Sequence, residues 1–330
     1  MRDRVTIKSI ARDLGISHMT VSRALSNHPS VKDDTKQAIL RRAEDLGYVR
    51  SAAAAAIRGE SAPITGLLLP NIVNEFYARI ANALALASDA RGRQLIIHLT
   101  NDDPTREHLA IRGLREMQAS GVLLVPTPGP PLADTVRHLS EMRVVQLIRQ
   151  HRALPDAPRV LVNDGPSIAE AVDHLVASGH TRIGYIGGHN ALSSGRDRLA
   201  AFLGAVRRNG LCLAEDLIFT APPSVDMGRA SLSAMLALAH PATAVVCGGF
   251  EISNGALESC LRRGLRLPQD LAFIGYGNPA FYEWIQGGIS TIQLPVDEMA
   301  SFSAGLLFSD DTAPLTETAF PTILNLRKSA

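Results

Sequence analysis

The sequence is short of the features that mark several protein classes. It holds three cysteines in 330 residues, Cys212, Cys247 and Cys260, odd in number and far apart. That spacing excludes a disulfide framework and a thiolate zinc site, and it fits a reducing compartment. Aromatic residues make up only 5% of the chain, with a single Trp. No apolar run approaches the roughly 18 residues that a membrane-spanning helix needs, so no membrane partner is expected. The opening Met1-Arg2-Asp3-Arg4 leads into a charged, helix-like stretch. An export signal would place an apolar core and a cleavage site there, so a cytoplasmic location is expected. Low-complexity tracts are absent. The apolar content, 46%, suffices for a core and excludes disorder as the main state. The length predicts two or three domains.

A net charge of +1 conceals an asymmetry. The first 60 residues carry eleven basic side chains against seven acidic ones, whereas the remaining 270 carry 22 against 25. A small basic head on a slightly acidic body is the footprint of a nucleic-acid-binding module.

The head reads as three short helices. Residues 6–14 place Ile7, Ile10, Ala11 and Leu14 on one helical face, and Gly15 ends that helix in the left-handed conformation that suits glycine. Ser17 caps a second helix, whose Val21, Ala24 and Leu25 face inward and whose His18, Met19, Ser22 and Arg23 face outward. A third helix, with Asp33 as its cap, runs to Gly47. Two short helices joined by a glycine turn form the motif whose second helix enters the DNA major groove. Arg bonds guanine O6 and N7 in a bidentate way, His can donate to or accept from a base, and Met offers apolar contact to a thymine methyl.

The run TIKSIARDLGISHMTVSRALSNHPSVKDDTKQAILRRAEDLGYVRSAAAAAIRG resembles the N-terminus of the LacI/GalR family of bacterial transcription regulators. The resemblance is densest in IA-x3-GIS-x2-TVSRAL and the closing LGY. It implies that His18, Met19 and Arg23 read bases, that Ser17, Thr20 and Ser22 mainly hold phosphates, and that Thr6, Asn27 and Ala53 belong to the same DNA-binding set. Residues 51–59 are alanine-rich, helix-prone and too short for a stable isolated helix. The resemblance makes them a hinge helix that pairs with its copy in the minor groove and wedges Ile57 into a base step. A plain interdomain linker is the alternative. Ile57 for the usual Leu, and Ala55 where Arg is common, depart from the family pattern.

From about residue 62 onward short apolar runs alternate with helical stretches. Strands are predicted at 64–70, 94–99, 121–126, 144–148, 159–163, 182–188, 243–248 and 271–277. Helices are predicted at 75–90, 105–119, 166–178, 197–209, 228–239 and 253–263. Strand–helix alternation means parallel sheets covered by helices on both faces. The number of strands predicts two similar α/β lobes with a binding cleft between them, beyond the strands' C-terminal ends. The family resemblance continues, at lower density, over residues 5–326 through SGHTRIGYIGG, TAVVCGG and LRLPQDLAFIGYGN. It implies a two-lobed, periplasmic-binding-protein-like (type I) body behind an all-α head. The expected domains are 1–50 for DNA binding, 51–61 for the hinge, and 62–330 for effector binding and dimerisation.

Catalytic signatures are missing: no GxSxG elbow, phosphate-binding Walker loop or HExxH is present, and the glycines at 184, 187 and 188 do not form a dinucleotide fingerprint. No cofactor, metal site or catalytic residue is expected. Asp102 and Asp103 before Pro104 read as a helix N-terminal cap. The alternative function is an α/β sugar-modifying enzyme with an accessory DNA-binding head.

For the cleft, the resemblance implies ligand contacts at Phe76, Tyr77, Arg149, Asn163, Ser194, Arg198, Pro223, Phe250 and Gly277. Several depart from the family pattern. Asn163-Asp164 reverses an Asp-Asn pair, Pro223 stands where an aromatic lid is common, Gly277 and the 148–149 region lack the usual acids, and Phe250 replaces a carboxylate or amide. With acceptors lost and arginines kept, a small anion such as a sugar acid or sugar phosphate gains charge-assisted bonds. The resulting expectation is a DNA-binding regulator, a repressor, controlled by a small effector of sugar type. A homodimer on a pseudo-palindromic operator would supply two heads. The terminal LRKSA adds no leucine heptad, which favours a dimer over a tetramer.

Overall fold

In a computed structural model the protein is described over residues 5–26, 28–48, 64–309 and 317–330. The chain divides into two compact units, Met1–Ala62 and Pro63–Ala330.

The first unit contains α1 (Ile7–Leu14), α2 (His18–Leu25) and α3 (Asp33–Asp45). Thr6 caps α1 through a reciprocal exchange with Ser9, its backbone N donating to Ser9 Oγ at 2.9 Å while its own side chain accepts from Ser9 N. Gly15 closes α1 at φ 65, as its position in the sequence predicts. Ser17 caps α2 by accepting from Thr20 N at 3.1 Å. Asp33 is not a cap: Lys32 holds that position without a side-chain bond, and Asp33 and Asp34 fill the first turn of α3. There their charges favour the helix dipole, which is an acidic residue's other use at a helix start. Ile10, Val21 and Ile39, one from each helix, are fully buried against each other. Burial of side chains this size stabilises by roughly 1.5–3 kcal/mol each. Arg42 on α3 holds Asp13 on α1 at 2.6 Å.

The second unit has two six-stranded sheets. The first runs β11-β5-β4-β3-β1-β2, all parallel, from β1 (Ile64–Leu69), β2 (Gln94–Leu99), β3 (Gly121–Leu124), β4 (Arg143–Leu147), β5 (Arg159–Asn163) and β11 (Glu317–Pro321). It packs with α4 (Glu75–Asp89), α5 (Pro104–Glu116), α6 (Ala133–Leu139) and α11 (Val296–Phe308). The second runs β12-β10-β9-β8-β6-β7, from β6 (Ile183–Gly188), β7 (Ile218–Ala221), β8 (Ala244–Gly248), β9 (Ala272–Tyr276), β10 (Ser290–Gln293) and β12 (Ile323–Asn325). Its helices are α7 (Gly165–Ala177), α8 (Ser193–Arg208), α9 (Val225–Leu236) and α10 (Phe250–Arg262). β12 is antiparallel to β10, so this sheet is mixed rather than wholly parallel. A strand arriving directly from the other lobe, after only Thr322, has no helical crossover to reverse it.

The chain passes between lobes three times, at Asp164, at Leu294–Pro295 and at Thr322. These joints put the C-terminal ends of the parallel strands of both sheets opposite each other, where α/β folds bind ligands. β7, β10, β11, β12, α6 and α11 have no counterpart in the sequence reading. The missed strands are short, three to five residues each, and β10 is polar as well: Ser290 and Thr291 are fully buried, and Ser290 N donates to Ser329 Oγ at 2.8 Å. No helix among the described residues is long and apolar enough to cross a membrane.

Candidate functional sites

Among the described residues, two places gather exposed or convergent polar chemistry. The first is α2. Its inner face carries Val21 and Ala24, both buried, while His18, Arg23 and Met19, the last 51% exposed, lie on the outer face. An exposed methionine beside a cationic guanidinium and an imidazole is poor core chemistry and good groove chemistry. Ser17 and Thr20 bond each other through their side-chain oxygens at 2.9 Å as well as capping the helix, and Ser22 is half-buried. Thr6 is exposed at the cap of α1. Asn27, Ala53 and Ile57, and the hinge segment 51–61, lie outside the described residues.

The second place is the cleft between the lobes. The first lobe contributes the ends of β1, β2 and β4, and the second contributes the ends of β6 through β10. Asn74 caps α4 by accepting from Phe76 N at 3.1 Å, and so sets Phe76 and Tyr77 in the first turn. Their rings meet edge to face, 5.4 Å apart, and both are buried. Burial raises the Tyr77 hydroxyl above its ordinary range, with Arg149 acting against it.

Arg149 is 6% exposed and follows Ile148, which the loop holds in the left-handed region at φ 62. Its guanidinium donates to both oxygens of Asp102, at 2.5 and 3.3 Å, and to the carbonyl of Pro126 at 3.3 Å. Asp102 itself is left-handed at φ 58, after Asn101 at φ 51; Asn and Asp tolerate that region better than other branched or bulky residues. Asp103 alone caps α5, accepting from Thr105 N at 2.8 Å. The two acids therefore separate: one caps, and the other enters the cleft.

Behind this pair lies Glu107, 1% exposed. One oxygen accepts from Thr127 N at 2.8 Å and the other meets His151 Nε2 at 3.1 Å. The contact ties helix α5 to the loops after β3 and β4. On the opposite wall Glu251, at the start of α10, accepts from Asn71 Nδ2 of the first lobe at 3.2 Å. Burial pushes the Glu251 carboxyl above its ordinary value, with the Asn71 bond working the other way.

Arg198 is held from three directions. Its Nε donates to Asp164 at 2.6 Å, its Nη1 donates to the Gly248 carbonyl at 3.1 Å, and its guanidinium lies 4.2 Å from the centre of the Tyr276 ring. Tyr276 in turn donates its hydroxyl to Asp164 at 2.7 Å. Burial raises Tyr276 well above the phenol range.

The predicted site residues thus divide. Phe76, Tyr77, Arg149, Ser194, Arg198, Pro223, Phe250 and Gly277 line the one cleft. Asn163 does not; it is exposed and borders a neighbouring hollow with Ser194 and Arg198. The expected shortage of carboxylates is corrected. Asp102, which reads in the sequence as part of a helix cap, and Glu251 supply acceptors to the cleft, and both arginines are already paired with carboxylates.

Residues 6–51 match the profile of the bacterial regulatory proteins of the lacI family, and residues 172–330 match that of the periplasmic binding protein-like domain. The chain belongs to the LacI/GalR family. Among its LacI/GalR relatives, the transcriptional regulator DegA of Bacillus subtilis (strain 168) is 27% identical over 302 residues, covering 90% of this chain and 89% of that one. The probable transcriptional repressor ExuR of the same strain is 27% identical over 316 residues, covering 95% and 93%. The crystal structure of the lac repressor dimer bound to operator and the anti-inducer ONPF superposes with a TM-score of 0.81 at 20% identity, covering 99% of both chains. These LacI/GalR relatives are transcription regulators, and this chain is a DNA-binding regulator rather than an enzyme. Asn71, Asp102 and Glu251 are cleft residues that the family pattern alone did not single out.

Proposed function

We propose that this LacI/GalR regulator is a repressor that binds operator DNA as a homodimer and is controlled by a small polar molecule of sugar type held in its cleft. One observation carries the reading: α2 turns His18, Met19 and Arg23 away from the head's core, in the arrangement that major-groove reading needs. In this reading those three residues contact bases, while Thr6, Ser17, Thr20 and Ser22 hold phosphates. Residues 1–50 form the DNA-binding domain, 62–330 bind effector and dimerise, and 51–61 carry the signal between them. A dimer fits a pseudo-palindromic operator. Support for it comes from the dimeric lac repressor and from Trp284 and Phe281, which one 3-10 turn and its cap expose at 76% and 36%. Effector binding alters lobe closure and hence operator affinity, with a coupling of about 1–3 kcal/mol.

The cleft's charge supports a neutral, hydroxyl-rich effector over the anion suggested by the sequence. Asp102 and Glu251 offer acceptors to hydroxyl donors. An anion would have to displace Asp102 from Arg149 or Asp164 from Arg198, giving up bonds of 2.5 and 2.6 Å. A calorimetric screen separates the two: neutral sugars should bind, with acids and phosphates weak. Tight binding of a sugar acid alone would reverse the assignment. For the head, Arg23→Ala should abolish the operator footprint while effector affinity stays unchanged; an unaltered footprint would remove Arg23 from base reading.

A further inference from the structure

Two departures from the family pattern, Phe250 and Gly277, are one structural feature. Gly277 follows β9 at φ 82, in the region that favours glycine. A Cβ built there would lie 2.5 Å from Phe250 Cδ2, so the ring rests directly on the glycine backbone. Any acid at 277 would need that Cβ. A carboxylate at 277 therefore requires the Phe250 ring to leave this position. Phe250 begins α10 after Gly249, is half-buried, and lines both the main cleft and an adjoining hollow with Phe76, Gly277 and Leu294. Its polar counterparts, Asp102, Arg149 and Glu251, line the same cleft.

We infer that Phe250, seated on Gly277, is a stacking platform that determines specificity and selects effectors with a rigid ring presenting an apolar C–H face. This rests on the reading of a sugar-type effector and adds to it the ring form. A phenyl face carries partial negative charge and attracts the weakly positive C–H bonds of a pyranose face. Acids at 250 and 277 would instead grip hydroxyls without regard to ring closure. The chain has exchanged hydroxyl recognition on this wall for shape recognition and has moved its acceptors to Asp102 and Glu251.

The probes are methyl pyranosides of the common aldohexoses and aldopentoses, each against its open-chain alditol, with binding to the full-length protein read by calorimetry. A pyranoside that binds should exceed its alditol by about three- to tenfold. That ratio should fall to near unity in Phe250→Ala, survive in Phe250→Trp, and fall in Gly277→Asp, whose side chain displaces the ring. A ratio unaltered in Phe250→Ala overturns the platform while leaving a sugar-type effector standing. If no pyranoside or alditol binds the wild type, the effector reading and the platform's ligand class fall together. A ligand-free measurement guards against misfolding. Gly277→Asp should lower Tm more in the Phe250 background than in Phe250→Ala, and strictly additive losses would show that the two residues do not form a unit.

Discussion

Glu107 and His151 sit 44 positions apart in the chain and meet where both are nearly inaccessible. Removing the carboxylate strands two buried partners, the Thr127 amide and the His151 ring, at about 1–3 kcal/mol each. Glu107→Ala should therefore lower unfolding stability in urea by about 2–4 kcal/mol, and Glu107→Gln, which keeps an acceptor for Thr127, by less than half as much. Equal losses would mean that shape alone matters there. Glu251 makes a prediction in pH. Its carboxyl is raised from an ordinary value of 4.5 by burial, with Asp102 adding repulsion and Asn71 and Arg149 opposing. A raised acid favours its protonated form in the fold, so its contribution is fully present below 4.5 and is lost as pH rises through the raised value. Glu251→Gln, neutral at every pH, should raise Tm relative to the wild type at neutral pH, and the gain should vanish in acid. A gain that persists below the ordinary value would refute the desolvation account. Neither residue announced itself in the sequence. Glu107 reads there as one charge on a helix, and the burial that gives it meaning comes from loops that only the fold brings together.

Helices α9 and α10 approach closely because each offers a glycine to the other. A Cβ at Gly255 would collide with the Val225 carbonyl, and one at Gly228 with the Ile252 carbonyl. Gly204 on α8 faces open space. The same substitution should then act with opposite sign. Gly204→Ala should stabilise by about 0.5–1 kcal/mol through helix propensity, whereas Gly255→Ala should destabilise by about 1–3 kcal/mol through overpacking. Urea unfolding of the two variants checks both signs. At this scale the sequence was most informative where periodicity was strong. The head's three helices, the eight apolar strands and six of the body's helices were legible from spacing and glycine stops. It was least informative at β10, whose buried Ser290 and Thr291 are satisfied by distant backbone, at the short edge strands β11 and β12, and at Asp102, where a left-handed turn redirects an acid that reads as a cap.

At the scale of the whole molecule, two units with different chemistry have to answer to each other. The basic head should draw most of its affinity from phosphate neutralisation, so binding should weaken steeply with salt. Arg198 is the whole-molecule counterpart of Glu107. It joins α8 to Asp164 at a lobe crossing, beneath the cleft. Arg198→Ala should abolish the response to effector while leaving ligand-free operator binding in place, and a retained response would place the coupling elsewhere. The most direct test of the account as a whole is a mobility-shift titration of the purified protein on DNA from upstream of its own locus, at low ionic strength, with and without a bound cleft ligand. The account predicts saturable, competitor-resistant retention with two chains per duplex, shifted by about tenfold or more in affinity when ligand is present. Failure to retain any such fragment, or retention that no cleft ligand alters, would contradict it.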